Sequence, residues 1–208
     1  MSKPYRVTTY IDGFNLYHAL CERCPKHHRW LDLWALSEKL IRGSETLTCV
    51  KYFSAYATWL PKPYATHREY VAALESRGVT AILGKFKEKD RSCRSCGSVW
   101  KGHEEKESDV NIAIHLLKDA MEDRFDRAIL ITADSDLCPA INMVRALQKR
   151  LQVFVATPPG MYGRARDLNP GMEITKGRLA ASLFPEIVLD SEGREVARRP
   201  SNYAPPQA

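Results

Sequence analysis

The chain has 208 residues, a formal net charge of +6 and a pI near 9.0, a length that suits one domain plus a short tail. Its apolar fraction of 44% and charged fraction of 27% are those of an ordinary globular domain. No apolar run approaches the roughly 18 residues that a membrane-crossing helix needs, and the opening MSKPYRVTTYID lacks the apolar core and cleavage site of an export signal. A cytoplasmic protein with no membrane partner is expected, its six cysteines reduced or metal-bound, and its positive charge favours polyanionic partners.

In chain order, Tyr5 to Ile11 is a short β-rich run that closes on Asp12-Gly13-Phe14-Asn15, after which Leu16, Tyr17, Ala19 and Leu20 begin a helix. Gly13 permits a sharp exit that aims Asp12 and Asn15 at one crevice; a common Asp-Gly turn is the plainer explanation. Cys21, Cys24, His27 and His28 fall in a polar connection, and Asp32 caps a helix carrying Leu33, Leu36, Leu40 and Ile41. A second strand is expected over 47–57, a helix from Pro61 to about Arg77, and a third strand over 79–86.

The composition then changes sharply. Over residues 85–106, Lys85, Lys87, Lys89, Arg91, Arg94, Lys101 and Lys106 outnumber Glu88, Asp90, Glu104 and Glu105, which predicts an inserted, exposed, basic loop. Ser108 starts a patterned helix whose expected apolar face is Val110, Ala113, Ile114, Leu117 and Met121, with Asp109 in the first turn, where an acid suits the helix dipole. Ala128 to Ile131 reads as a buried strand that runs into Thr132-Ala133-Asp134-Ser135-Asp136 and then a helix ending near Arg150. A fifth strand is expected over 151–156, followed by a Pro/Gly-rich loop carrying Arg164 and Arg166, a short helix over 179–184 and a small hairpin over 187–196. From Arg198 the sequence predicts a flexible tail, so the main domain is placed at 1–187 and the hairpin with its tail at 188–208. The alternation of strands and helices argues for an α/β fold, a mostly parallel sheet covered on both faces.

Asp12, Asp134 and Asp136 thereby fall at the C-terminal edge of the sheet, where open α/β folds bind ligands, with Asp109 at a helix start that can face them. One of the pair Asp134 and Asp136 suffices to cap the following helix; four carboxylates in one crevice need cations. All-oxygen ligation with open positions suits Mg²⁺ or Mn²⁺ and phosphoester hydrolysis. Asn15, Thr132 and Ser135 beside the acids, with Lys106, Arg164 and Arg166, are the candidate substrate contacts. No Walker loop, GxSxG turn or GxGxxG fingerprint competes. Cys93-Arg94-Ser95-Cys96-Gly97 has the form of a zinc knuckle in need of two more ligands, with His103 the nearest candidate and Cys21, Cys24, His27 and His28 the others; an unliganded pair of exposed thiols is the alternative. Cys49 and Cys138 read as core residues, and His18 and His115 as ordinary helix positions.

Three pieces, YIDGFNLYHAL, EEKESDVNIAIHLLKDA and ILITADSDLCPAINMVR, together resemble the NYN domain, a branch of the PIN-like nuclease superfamily. The resemblance implies a PIN-like α/β sandwich whose acidic residues form a metal-dependent RNA-cleaving site. On this sequence Asp12 matches the first-strand aspartate and Asn15 its polar companion, Asp109 the helix-start aspartate, and Asp134 and Asp136 the pair after the central strand. Ala133 stands where many relatives have Gly, and relatives often carry a CxxC just before the EEK segment. Some members bind or regulate without cleaving, so two readings follow: a metal-dependent endoribonuclease, and a catalytically silent RNA-binding or regulatory protein. A phosphatase or DNA nuclease is a third, since the same chemistry serves any phosphate ester.

Overall fold

The computed structural model describes residues 4–206. Six strands, β1 (Tyr5–Asp12), β2 (Glu45–Ser54), β3 (Thr80–Leu83), β6 (Arg127–Ile131), β7 (Gln152–Thr157) and β8 (Met172–Glu173), form a parallel sheet in the order β3-β2-β1-β6-β7-β8. Two antiparallel hairpins complete the strands: β4 (Lys85–Ser92) with β5 (Val99–Lys106), and β9 (Ile187–Leu189) with β10 (Glu195–Arg198). The helices are α1 (Gly13–Arg23), α2 (Leu33–Glu38), α3 (Pro61–Ser76), α4 (Ser108–Met121), α5 (Cys138–Leu147) and α6 (Lys176–Ala180).

Burial on both faces explains why the central strand is continuously apolar. All five residues of β6 are buried, and strand alternation sends Ile129 and Ile131 into one core with Trp30, Leu33, Leu36 and Leu74, and Ala128 and Leu130 into the other with Ile112, Leu116, Ile141 and Val144. The chain steps from β1 outward to β2 in one direction and from β6 outward to β7 in the other. The crevice between the C-terminal ends of β1 and β6 is therefore the switch point of the sheet, the place such folds reserve for ligands.

Three expectations require correction. The third strand stops at Leu83, and the segment 85–106 is an ordered hairpin instead of a loop, paired in register from Lys85 with Lys106 to Ser92 with Val99. Gly84 makes the entry possible, since a Cβ there would lie 2.6 Å from the Lys106 carbonyl oxygen. Helix α4 buries Ser108, Ile112, Leu116, Asp119 and Ala120, whereas Val110, Ile114 and Met121 are exposed. Apolar residues cover most of its circumference, and the stripe containing an aspartate wins because Asp119 finds Lys51 Nζ at 2.5 Å and the Tyr10 hydroxyl at 2.6 Å. The C-terminal hairpin adds Val188 and Ala197 to the larger core, and the stretch beyond it makes a 3-10 turn (Ser201–Tyr203) whose Tyr203 ring lies 5.7 Å from the Arg29 guanidinium. Within the stretch expected to be flexible, residues 201–203 are therefore packed against the domain.

Candidate active site

Asp12 is the last residue of β1 and the N-cap of α1, its Oδ1 accepting from the Asn15 backbone N–H at 3.0 Å. Gly13 lets the helix start against β2; a Cβ there would come within 2.6 Å of the Phe53 carbonyl oxygen and the Tyr52 ring. One strand across, Thr132 follows β6 and its hydroxyl donates to Asp12 Oδ2 at 3.0 Å while accepting from the Asp134 N–H at 3.0 Å. Asn15 Oδ1 accepts from the Ala133 N–H at 2.9 Å, so the two strand ends are tied by both polar side chains. Asp134 in turn accepts from the Asp136 N–H at 2.9 Å and caps a 3-10 turn, Ser135–Leu137. Asp134 thus serves as a cap, as the plainer explanation for that pair required, Asp12 caps α1 in the same way, and both still crowd one edge.

Asp109 sits in the first turn of α4, which packs against that 3-10 turn. Burial pushes its carboxyl up to about 6, helped by the negative charges of Asp134, Glu105 and Asp136. Asp12 is buried and pushed up to about 7, chiefly by desolvation and further by Asp109 and Asp134, against the opposing hydrogen bonds from Asn15 and Thr132. The four aspartates therefore share one electrostatic neighbourhood, and no Lys or Arg pairs with any of them among the described residues. Glu105 is a fifth acid there that sequence reasoning passed over; its Oε1 accepts from the Ser108 N–H at 3.0 Å, a signal present as an acid three residues before a helix start.

Among the described residues no three His, Cys, Asp or Glu side chains stand close enough to enclose one ion. The donor set is nevertheless all-oxygen, negatively charged and uncompensated, which fits a hard cation that keeps several of its own waters and takes only one or two carboxylates directly. It does not fit a closed cage of four protein ligands.

The remaining candidates are more dispersed. Ser135 is exposed on the 3-10 turn, and the turn Arg166–Leu168 packs beside it, bringing exposed Arg166 to the acidic edge without an ion pair among the described residues. Arg164 is also exposed, its guanidinium 4.0 Å from Met161 Sδ. Lys106 pairs with Glu104 at 3.1 Å. The hairpin register makes one face mainly basic: Lys85, Lys87, Lys89, Arg91 and Lys106 share it with Glu104 and exposed Trp100, while Phe86, Glu88, Asp90, Lys101, His103 and Glu105 share the other. Of these cations Lys87 and Arg91 make no ion pair among the described residues.

The thiols are not joined by their expected third ligand. Cys93 and Cys96 flank the hairpin turn, where Cys96 Sγ lies 2.8 Å from Ser98 Oγ and hydrogen bonding to Ser98 holds the thiol down to about 7. His103 lies opposite Glu88, four register pairs or about 13 Å below the Ser92–Val99 pair, and stacks on Trp59 with ring centroids 3.6 Å apart. Cys21, Cys24, His27 and His28 belong to α1 and the 3-10 turn after it.

A second feature escaped the sequence altogether. Immediately behind Gly13 lies a cavity of about 420 Å³ walled by Phe14, Tyr17, Tyr52, Tyr70, Phe86 and Tyr203, residues contributed by five separate segments.

Against known proteins, the NYN domain model matches residues 6–167. The chain belongs to the NYN domain family. Its parallel sheet flanked by helices is that of the PIN-like nuclease superfamily. A relative from Pseudomonas putida, named 6-hydroxy-3-succinoylpyridine 3-monooxygenase HspA, is 29% identical over 248 aligned positions that span 97% of this chain and 76% of the relative. A crystal structure of a protein of unknown function from Vibrio parahaemolyticus superposes with a TM-score of 0.53 at 18% identity, covering 84% of this chain and 95% of that one, which supports the fold.

Proposed function

We propose that this NYN protein is a metal-dependent endoribonuclease that hydrolyses RNA phosphodiester bonds at the switch-point crevice. The observation that carries the reading is the gathering of Asp12, Asp109, Asp134 and Asp136 at one edge with no Lys or Arg paired to them among the described residues, two of them with carboxyls raised toward neutrality. These residues would hold Mg²⁺ or Mn²⁺; bound there, such an ion activates a water and neutralises charge developing on the phosphodiester. Thr132 and Asn15 fix Asp12 and the Asp134 turn relative to each other, so the carboxylates are positioned before substrate arrives. Arg166 and the unpaired hairpin cations Lys87 and Arg91 supply contacts to the RNA backbone on either side. Labelled RNA and DNA incubated with Mn²⁺, Mg²⁺ or EDTA test it: RNA cleavage that needs the ion and is lost in Asp134→Asn is expected. RNA binding without cleavage under every condition would leave the silent regulatory reading in its place.

A second reading takes its reaction from the name of the Pseudomonas putida relative, and the aromatic cavity beside Asp12 favours it. A ring monooxygenase inserts one atom of O₂ and reduces the other to water with two electrons from a reductant. Oxygen uptake with 6-hydroxy-3-succinoylpyridine and a nicotinamide reductant would support this reading, and its absence beside metal-dependent RNA cleavage would dismiss it.

A further inference from the structure

We infer that the cavity behind Gly13 binds a planar aromatic ring that carries an anionic group, supplied either as a nucleotide or as a free aromatic carboxylate. Its volume of about 420 Å³ holds a ring with a short arm. Phe14 and Phe86 meet edge to face with centroids 5.5 Å apart on one side, and Tyr52 and Tyr70 close at 6.1 Å on another. A ring entering there gains stacking and apolar contact.

The charged groups decide what the ring must carry. Arg29 and Lys62 line the cavity, no Asp or Glu does, and neither cation pairs with a carboxylate among the described residues. The Arg29 guanidinium is held between the rings of Tyr17 and Tyr203, 5.7 Å from each centroid, and its Nε is buried with no hydrogen-bond partner. Guanidinium groups fixed this way are preorganised for a carboxylate or phosphate, and an unpartnered buried donor gains most from receiving one. At the inner wall the Tyr52 hydroxyl and His67 Nε2 lie 3.2 Å apart, a pair able to meet a ring nitrogen or hydroxyl. Burial lowers the His67 pKa to about 4, so the imidazole is neutral near pH 7 and does not supply the positive charge. Recognition of the anion falls to Arg29 and Lys62, and Tyr203 ties the docked C-terminal stretch to the site.

The inference is independent of cleavage at the acidic edge, and its test is run in EDTA so that the two can fail separately. Titration calorimetry of the full chain would compare AMP and UMP with adenosine and uridine, and 6-hydroxynicotinate with its amide. At least one anionic ligand should bind at roughly tenfold higher affinity than its neutral counterpart, with amide shifts centred on Gly13, Ala55 and Ala57. Arg29→Gln should weaken that ligand by roughly tenfold or more, and Lys149→Gln, an exposed position outside the cavity, should leave it unchanged. Should Arg29→Gln fail to fold, Lys62→Gln, an exposed position, carries the same comparison with a smaller loss. Binding of the nucleotides alone assigns the site to a base of the RNA; binding of 6-hydroxynicotinate alone assigns it to a free aromatic acid. No binding at millimolar ligand, affinity indifferent to ligand charge, or shifts confined to the acidic edge would overturn the inference.

Discussion

The two edges of the sheet handle negative charge in opposite ways. At the N-terminal edge each carboxylate has an arginine: Asp123 and Asp126 share Arg6 and Arg150 at 2.7 to 3.3 Å, and buried Glu45 meets buried Arg127 at 2.5 Å. Hydrogen bonds from Arg150 and Arg6 hold the Asp123 carboxyl down to about 2. At the C-terminal edge the acids are as crowded, none is matched by a Lys or Arg among the described residues, and Asp12 and Asp109 are pushed up instead of down. The same side-chain type stabilises the fold at one edge and strains it at the other. An arrangement that costs stability in the free protein, at the switch point of the sheet, is what a cation-binding site requires.

Removing one partner at the paired edge should have the largest effect on stability. Glu45→Gln leaves the Arg127 charge buried without its counter-ion, in a side chain whose Nε already lacks a partner, and should cost about 3–5 kcal/mol in urea denaturation. An equally large loss from Asp12→Asn would erase the distinction between the edges. In chelator that variant should instead gain stability. A carboxyl whose pKa is about 7 folded and ordinary when unfolded binds more protons in the native state, so its contribution falls as pH rises from about 4 to about 7 and stays low above that. Asp12→Asn removes the penalty, at most about 4 kcal/mol at pH 8, while abolishing the proposed cleavage; over the same window the variant should lose less stability than the wild type, keeping the smaller loss that Asp109 contributes.

Some of this contrast was legible in the sequence. The strand run Ala128 to Ile131 followed by TADSD placed Asp134 at a parallel-strand end, because continuous apolar burial and the strand-to-helix change are local signals. The proposed site residues Asp12 and Asp109 rest on similar local signals, a strand end and a helix start. The hairpin was not, although KFKEKDRS alternates with period two: with charge on one face and mixed polar groups on the other, it carries no apolar stripe to announce a strand. The buried stripe of α4 is not legible in its own sequence, because Asp119 joins that stripe only through Lys51 and Tyr10, which are distant in sequence. The aromatic cavity has no sequence signature, since its walls come from β1–α1, β2, α3, the hairpin and the C-terminal turn, and no period links them.

Smaller effects sharpen the picture of the hairpin. Neutralising Lys87 and Arg91 together should reduce the slope of log affinity against log salt for single-stranded RNA by about 1.4, the value for two phosphate contacts; an unchanged slope would move the RNA path off the hairpin. Smallest of all, Cys93→Ser with Cys96→Ser should change global stability by less than about 0.5 kcal/mol, because both thiols stand at the hairpin turn away from the core. Elemental analysis before and after shows whether that turn carries zinc, and Mn²⁺-dependent cleavage should survive in either case.

The central claim is that the C-terminal edge is an unbalanced carboxylate cluster built for a divalent cation. The most direct measurement is the unfolding free energy of the wild type and of Asp12→Asn at pH 5 and pH 8, in EDTA and then in Mn²⁺. In EDTA the wild type should lose stability relative to the variant as pH rises. Mn²⁺ at one hundred times its dissociation constant should return about 2.7 kcal/mol to the wild type at pH 8, less at pH 5 where the carboxyls are protonated, and far less to the variant. Equal pH dependence in the two proteins, with no response of either to Mn²⁺, would contradict the account.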